Sequence, residues 1–209
     1  MFFWWGLRWS VFKSWLTGND FNSLQQLKEY GRKRGFTLSE AQWEELNWRW
    51  YAGLADIGGV SPQTVETLRI LRDKGLKLGM LSNTFIHKSS LERHLAQTGL
   101  LDYLPVRLYT YEFPWRKPDE RIFRQAAEAV GAACDRIIYV GDRIDNDVIG
   151  ARKVGMLPVL IRAYTNENKR MPRDVAFIDS LAELPNVIDQ NCHLQTPNTE
   201  AEQPAGPKG

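Results

Sequence analysis

The chain has 209 residues, enough for one domain with a large hydrophobic core, or for a core with a small insertion. Hydrophobic residues make up 43% and charged residues 25%, the balance of an ordinary globular protein, and the formal net charge of +2 is too small to indicate a nucleic-acid partner. The 2 cysteines give neither a disulfide framework nor a Cys-x-x-Cys metal site, so we expect a reducing, cytoplasmic setting.

The chain begins with an aromatic run, Met1-Phe2-Phe3-Trp4-Trp5. Arg8 and Lys13 interrupt the apolar character that follows, so the run is too short to span a bilayer. No charged leader precedes it and no small-residue cleavage site follows. We therefore expect neither a membrane partner nor a signal peptide.

Residues 1–58 are predicted to be helical. A helix is expected over residues 22–32, and Ser39 with Gln42 has the pattern of a capping box before a second helix. In that second helix, the apolar residues that recur at helical spacing are Trp43, Leu46, Trp50 and Leu54. The aromatic residues Trp43, Trp48, Trp50 and Tyr51 could line a substrate pocket, but their spacing fits core packing as well, and we favour the core.

Helices and strands alternate from Ser61 onward, in residues 59–190. Ser61-Pro62 is a helix start with an N-cap and a first-turn proline. Strands are predicted over residues 76–81, 106–111, 137–140, 158–162 and 176–178, and helices over residues 89–97, 119–130, 147–154 and 180–187. This alternation predicts an α/β fold, a parallel sheet with helices on both faces. Residues 191–209 are rich in Pro, Gln and Thr and are predicted to be a disordered tail.

Polar residues follow the first two predicted strands. Ser82-Asn83-Thr84 ends the first strand, where a hydroxyl and an amide can donate to a phosphoryl oxygen, although these residues are also common in turns. Arg116-Lys117-Pro118-Asp119 follows the second strand. The proline keeps Lys117 out of a helical conformation, and Asp119 can cap the next helix. Lys117 either neutralises phosphoryl charge or is an ordinary basic loop residue.

An acidic cluster follows the third strand. Residues 137–147 read Ile-Ile-Tyr-Val-Gly-Asp-Arg-Ile-Asp-Asn-Asp. Asp142 and Asp147 are the best metal candidates because carboxylates at the end of a buried strand suit Mg²⁺, which takes oxygen ligands and a substrate phosphate. Asp145 is expected to cap the next helix or to face solvent. A purely structural turn is the alternative.

In sequence order, Leu81-Ser82-Asn83-Thr84, Arg116-Lys117-Pro118-Asp119 and Gly141-Asp142-xxxx-Asp147 resemble the last three motifs of the haloacid dehalogenase superfamily, over residues 61–162. The resemblance implies a Rossmann-like core, a small helical cap before Ser61 and a Mg²⁺-dependent phosphohydrolase acting on a small phosphorylated metabolite. It also implies that Ser82 holds the phosphoryl oxygen with Asn83 beside it. Lys117 would stabilise charge, and Asp142 and Asp147 would bind Mg²⁺.

The nucleophile of that family, an aspartate in Asp-x-Asp-x-Thr after a hydrophobic strand, has no counterpart in this chain. The aspartates before the core are Asp20 and Asp56, and neither follows such a strand. We interpret Asp20 as a helix cap and Asp56 as a loop residue. In the family this strand lies between those that end at Ser82 and Val140. Either those two strands pair directly, or another segment such as Met1–Trp5 fills the space, or the chain is a fragment.

We favour a shortened form of a longer protein, which we expect to be inactive as it stands. The alternative is a relative that binds Mg²⁺ and phosphate, or a protein partner, without turnover. His87, five positions after Ser82, is expected to be a polar surface or capping group rather than a substrate contact. The sequence does not indicate an oligomeric state.

Overall fold

The computed structural model describes residues 20–55 and 60–192, and within these ranges each of the predicted strands is found. The strands are β1 Gly79–Ser82, β2 Val106–Tyr109, β3 Ile138–Gly141, β4 Leu157–Ile161 and β5 Ala176–Ile178. Met1–Trp5 and Asp56, for which the sequence suggested roles, lie outside the described residues.

The α-helices agree with the predicted ones except near residue 147 and at the last helix, where a 3₁₀ turn, Leu181–Glu183, precedes an α-helix that begins at Leu184 rather than at residue 180. They are α1 Ser23–Arg32, α2 Glu40–Ala55, α3 Pro62–Asp73, α4 Lys88–Gln97, α5 Glu120–Val130, α6 Ile149–Lys153 and α7 Leu184–Cys192. A π-helical turn, Ile144–Val148, replaces the start of the helix predicted over residues 147–154. Helix α7 reaches the first two residues of the predicted tail, and residues 193–209 are not described. None of the described helices has the length and apolar character needed to cross a membrane.

Most helix caps follow from the local sequence. Ser39 and Gln42 bond reciprocally as a capping box, with Ser39 N donating to Gln42 Oε1 over 2.9 Å. Ser61 caps α3 and Asp119 caps α5. The prediction for Asp20 is wrong, because the cap of α1 is Asn22, whose side chain accepts from Gln25 N.

Within residues 20–55 and 60–192 the strands form two parallel sheets rather than one. β1 pairs with β2, and β3 pairs with β4, which pairs with β5. Within the described ranges no backbone ladder joins β1 to β3, so the direct pairing that the sequence left open does not occur. Residues of β3 are all half-buried, whereas residues 158–160 of β4 are buried. One edge of β3 is therefore only partly covered.

Helices pack on both faces of the strands, as predicted. One apolar cluster joins β1 and β2 to α5 and α6, and its buried residues are Leu81, Leu108, Ile122, Phe123, Ala127, Ala151, Val154 and Met156. A second cluster joins β4 and β5 to α3 and α7, and its buried residues are Leu68, Leu71, Leu100, Val159, Ile178, Leu184 and Ile188. The α/β class with a Rossmann-like arrangement is confirmed.

Helices α1 and α2 pack against α4 through a buried polar network. Ser23 Oγ donates to Asn47 Oδ1 over 3.0 Å, and Asn47 Nδ2 donates to Ser90 Oγ over 2.7 Å. All three side chains are buried. Trp43 packs on Gly31, where an added Cβ would lie 2.2 Å from the indole. Leu46, which its spacing grouped with Trp43, is 43% exposed.

Replacing Asn47 with alanine should lower the stability of the folded chain. The substitution leaves the buried hydroxyls of Ser23 and Ser90 without their shared partner, and a lost buried hydrogen-bond partner costs about 1–3 kcal/mol. The matched control is Asn168→Ala at an exposed position, where we expect a change within about 0.5 kcal/mol. Urea unfolding followed by circular dichroism measures both, and equal midpoints would contradict the role of the network.

His87 caps α4 and should make stability depend on pH. Its Nδ1 accepts from Ser89 N over 3.3 Å, and burial lowers the pKa of His87 below its ordinary value. The unfolded chain therefore takes up a proton at a higher pH than the folded chain. Stability is full above about pH 6.5 and falls as the pH drops toward the folded pKa.

His87→Asn tests this assignment, because asparagine is a good N-cap that does not titrate in this range. Urea midpoints measured from about pH 7 to about pH 5 should fall less for His87→Asn than for the unaltered chain. An identical pH dependence for the two proteins would show that His87 is not the titrating group.

Candidate active site

Lys117 is the centre of the contacts at the carboxyl ends of β1 and β3. Its side chain is 12% exposed, and its Nζ lies 2.6 Å from Asp147 Oδ1. The same Nζ donates to Tyr139 Oη over 3.0 Å and to Leu81 O over 3.3 Å. An ammonium group has three N–H donors, so these contacts account for all of them.

Asn83 fixes the backbone of Lys117. Its Nδ2 donates to Lys117 O over 3.0 Å, and its Oδ1 accepts from Lys117 N over 2.9 Å. This two-point contact joins the turn after β1 to the loop before α5. The sequence predicted that Asn83 lies beside the phosphoryl group. That role stays a prediction, and the contact with Lys117 is a function that the sequence did not indicate. Ser82 is the last residue of β1 and is half-buried.

Asp147 reaches back under the end of β3. Its side chain is 3% exposed, and its Oδ2 accepts from Arg143 N over 2.9 Å. A Cβ added to Gly141 would lie 2.4 Å from the Asp147 side chain, so only glycine leaves room for this approach. The π-helical turn Ile144–Val148 carries Asp147 to this position.

Asp142 is held by the loop that follows β4. Its Oδ2 accepts from Thr165 Oγ1, and its backbone oxygen accepts from Asn166 Nδ2 over 2.8 Å. Asp145 is 53% exposed and pairs with Arg143. The Arg143 guanidinium lowers the pKa of Asp145. Asp145 therefore faces solvent, one of the two positions expected for it.

Tyr139 is a residue of this site that the sequence analysis missed. Its hydroxyl lies between Lys117 Nζ and Leu81 O. Burial raises the pKa of Tyr139 well above its ordinary value, and the nearby Asp147 carboxylate adds to the rise. The phenol is therefore neutral and can both donate and accept. Its place on a predicted strand was visible in the sequence, but the reach of its hydroxyl was not.

Asp20 also lies at the strand ends, not at a helix cap. Its side chain is 5% exposed, and its Oδ1 lies 2.9 Å from Arg116 Nη1. Its Oδ2 accepts from Thr110 Oγ1, and Thr110 Oγ1 in turn accepts from Thr84 N over 3.0 Å. This chain of contacts ties the start of α1 to the turn after β1 and to the Lys117 loop.

The described residues include no group of three or more His, Cys, Asp or Glu side chains arranged to hold a metal ion. The candidate metal ligands are the carboxylates of Asp142, whose Oδ2 accepts from Thr165 Oγ1, and of Asp147, whose two oxygens accept from Lys117 Nζ and Arg143 N. Mg²⁺ commonly uses one or two carboxylates together with water and substrate phosphate. The structure thus brings Asn83, Lys117 and Asp147 into contact and places Ser82 and Asp142 at the adjoining strand ends, while their assigned roles stay predictions.

Breaking the Lys117–Asp147 pair should be far more costly than breaking an exposed pair. Asp147→Asn leaves a largely buried ammonium without its counter-charge, and removing one member of a buried pair costs about 3–5 kcal/mol. Asp145→Asn breaks the exposed Arg143 pair and should cost about 0–1 kcal/mol. Urea unfolding of the two variants gives the comparison, and similar losses would contradict the importance of burial.

Solved structures with the same fold were found. The chain is similar to a HAD phosphatase from Thermococcus onnurineus, with 29% identity and a TM-score of 0.54, over 79% of this chain and 73% of that one. It is also similar to a 2-haloacid dehalogenase from Pseudomonas syringae pv. Tomato DC3000, with 26% identity and a TM-score of 0.51, over 63% of this chain and 54% of that one.

Curated relatives include phosphatases. The glyceraldehyde 3-phosphate phosphatase of Methanothermobacter thermautotrophicus is 29% identical over 61% of this chain and 58% of its own length. The same enzyme of Methanopyrus kandleri is 33% identical over 61% of this chain and 55% of its own length. The phosphoglycolate phosphatase of Neisseria meningitidis is 33% identical over 47% of this chain and 40% of its own length. The chain thus spans between two fifths and three fifths of these relatives.

The model of one protein family matches residues 11–155, which include Ser82, Asn83, Lys117, Asp142 and Asp147. This range is well over half of the chain. The fold, the order of the strand-end motifs and this match agree, and the chain belongs to the haloacid dehalogenase-like hydrolases.

Proposed function

We propose that this chain carries the phosphate- and Mg²⁺-binding part of a phosphatase for a small phosphorylated metabolite. The observation that carries the proposal is the buried Lys117–Asp147 pair at the end of β3, beside the turn after β1. Ser82 would donate to a phosphoryl oxygen. Asn83 would hold the backbone of Lys117, and the Lys117 ammonium would neutralise charge on the same phosphoryl group. The phosphatases among the relatives support this substrate class.

The charges at the site favour a divalent cation. Lys117 contributes one positive charge, whereas Asp142 and Asp147 contribute two negative charges. A phosphoryl dianion brought to these residues would meet a net negative site, and a bound cation is often the largest local charge in such sites. Asp142 and Asp147 would hold Mg²⁺, which supplies charge neutralisation of the phosphoryl oxygens when bound.

A nucleophile is the component that this chain does not provide. Family chemistry needs an aspartate that attacks phosphorus to form an aspartyl-phosphate. Asp20 is a poor substitute because both of its carboxylate oxygens are already bonded, to Arg116 and to Thr110. We therefore propose that turnover requires an Asp-x-Asp-x-Thr strand in addition to residues 1–209.

The second candidate is binding without turnover. It is favoured by the contacts of Lys117, whose three donors are all engaged within the protein. A chain with these groups could bind phosphate and Mg²⁺ as a regulatory module.

Hydrolysis of p-nitrophenyl phosphate distinguishes the two candidates. We expect no turnover by this chain with Mg²⁺, and turnover after an in-frame Asp-x-Asp-x-Thr strand is added before it. In the extended protein, Asp142→Asn should lower the rate by at least about 100-fold, since a metal ion supplies several kcal/mol of transition-state stabilisation. The matched control, Asp145→Asn, should leave the rate nearly unchanged.

Each outcome decides a different part of the proposal. Turnover by the unextended chain, abolished by Asp142→Asn, would overturn the claim that the nucleophile is missing. An inactive extended protein that still binds inorganic phosphate and Mg²⁺ in a calorimetric titration would favour the binding module over the phosphatase.

A further inference from the structure

Tyr139 differs from its neighbours on β3 in the surface that it faces. Ile138 and Val140 pack against the cluster of α3 and α7, whereas Tyr139 packs against the cluster of α5 and α6. Its ring meets the ring of Phe123 edge-on, with centroids 4.9 Å apart. The aromatic ring thus has an ordinary core environment, which a phenylalanine would fill equally well.

The hydroxyl of Tyr139 has a separate set of contacts, at the boundary between the two sheets. It donates to Leu81 O over 3.4 Å and accepts from Lys117 Nζ over 3.0 Å. A buried hydroxyl is costly unless it is hydrogen-bonded, so these contacts account for a tyrosine at this position. They link β3 to β1, which no backbone ladder joins in the part of the chain that the structure describes.

We propose that Tyr139 is a positioning residue for Lys117. The Lys117 ammonium donates to the phenol oxygen, to Leu81 O and to Asp147 Oδ1. Together these three hydrogen bonds hold Nζ at the strand ends. Without the phenol, the ammonium keeps its ion pair but loses one of its three fixed contacts. The inference rests on the proposed function only in that Lys117 is the group meant to face phosphate.

Proton exchange at the Lys117 ammonium tests the positioning directly. In protein labelled with ¹⁵N-lysine, the Lys117 signal is assigned by its absence in Lys117→Arg. Because its donors are buried and bonded, we expect exchange at least about tenfold slower than at the exposed Lys153. Tyr139→Phe should raise the Lys117 rate about fivefold or more under the same conditions.

Tyr109→Phe is the matched control. Tyr109 is buried on β2, the strand that pairs with β1, and its hydroxyl has no hydrogen bond to Lys117. The control should leave the Lys117 exchange rate unchanged. A merely structural role for Tyr139 predicts a loss of stability with no selective change at Lys117, and that result would overturn the proposal. Fast exchange at Lys117 in the unaltered protein would overturn it without any variant.

A titration with inorganic phosphate separates this proposal from the proposed function. We expect Tyr139→Phe to weaken phosphate binding about fivefold, and Tyr109→Phe to leave it unchanged. No phosphate binding by the unaltered chain, together with a faster Lys117 exchange in Tyr139→Phe, would sink the function and keep the positioning role. Phosphate binding by the unaltered chain, together with an unchanged Lys117 exchange rate in Tyr139→Phe, would support the function and overturn the positioning role.

Discussion

The ion pair between Lys117 and Asp147 is the interaction on which the rest of the site depends. Two nearly buried charges are stable together only when their other hydrogen-bonding atoms are also satisfied. In this chain, backbone groups and one side chain supply those hydrogen bonds. Arg143 N bonds the second carboxylate oxygen, and Tyr139 with Leu81 O bonds the ammonium. Gly141 gives the carboxylate its space. The sharp turn after β3 is therefore a requirement of the charge pair.

The same pair explains why loops distant in sequence meet at one edge of the fold. Asn83 holds the Lys117 loop by its backbone, and Lys117 then reaches Asp147 beyond β3. Thr110 and Asp20 add a second connection from the turn after β1 to the same loop through Arg116. Polar side chains thus join strand ends that belong to separate sheets. These contacts connect the loops around the proposed phosphate site in the described part of the chain.

Sequence was sufficient where local chemistry decides the structure. Apolar runs and turn residues located the strands, and Ser39, Ser61 and Asp119 cap helices as expected. Prediction from the sequence failed where a residue far along the chain determines the position of a side chain. Asp20 pairs with Arg116, 96 residues away, and the N-cap of α1 is Asn22 instead. Asn47 is buried and hydrogen-bonded to Ser23 and Ser90, whereas its neighbour Leu46 is exposed. The reach of Tyr139 depends on how β3 lies beside β1, which no local pattern encodes.

The break between the two sheets of the described ranges bears directly on the nucleophile strand proposed above. Leu81 O, on the edge of β1, accepts from two side chains where a strand neighbour would supply a backbone N–H. Residues of β3 are half-buried along the strand's whole length, which fits an edge without a ladder partner in the described ranges. A strand lying there would end between Ser82 and Asp142, because parallel strands finish at the same side of a sheet. An aspartate at its end would lie beside Ser82 and Asp142, two of the residues proposed above to meet the phosphoryl group and its cation. The gap between β1 and β3 in the described ranges is therefore where the strand proposed above for turnover would fit.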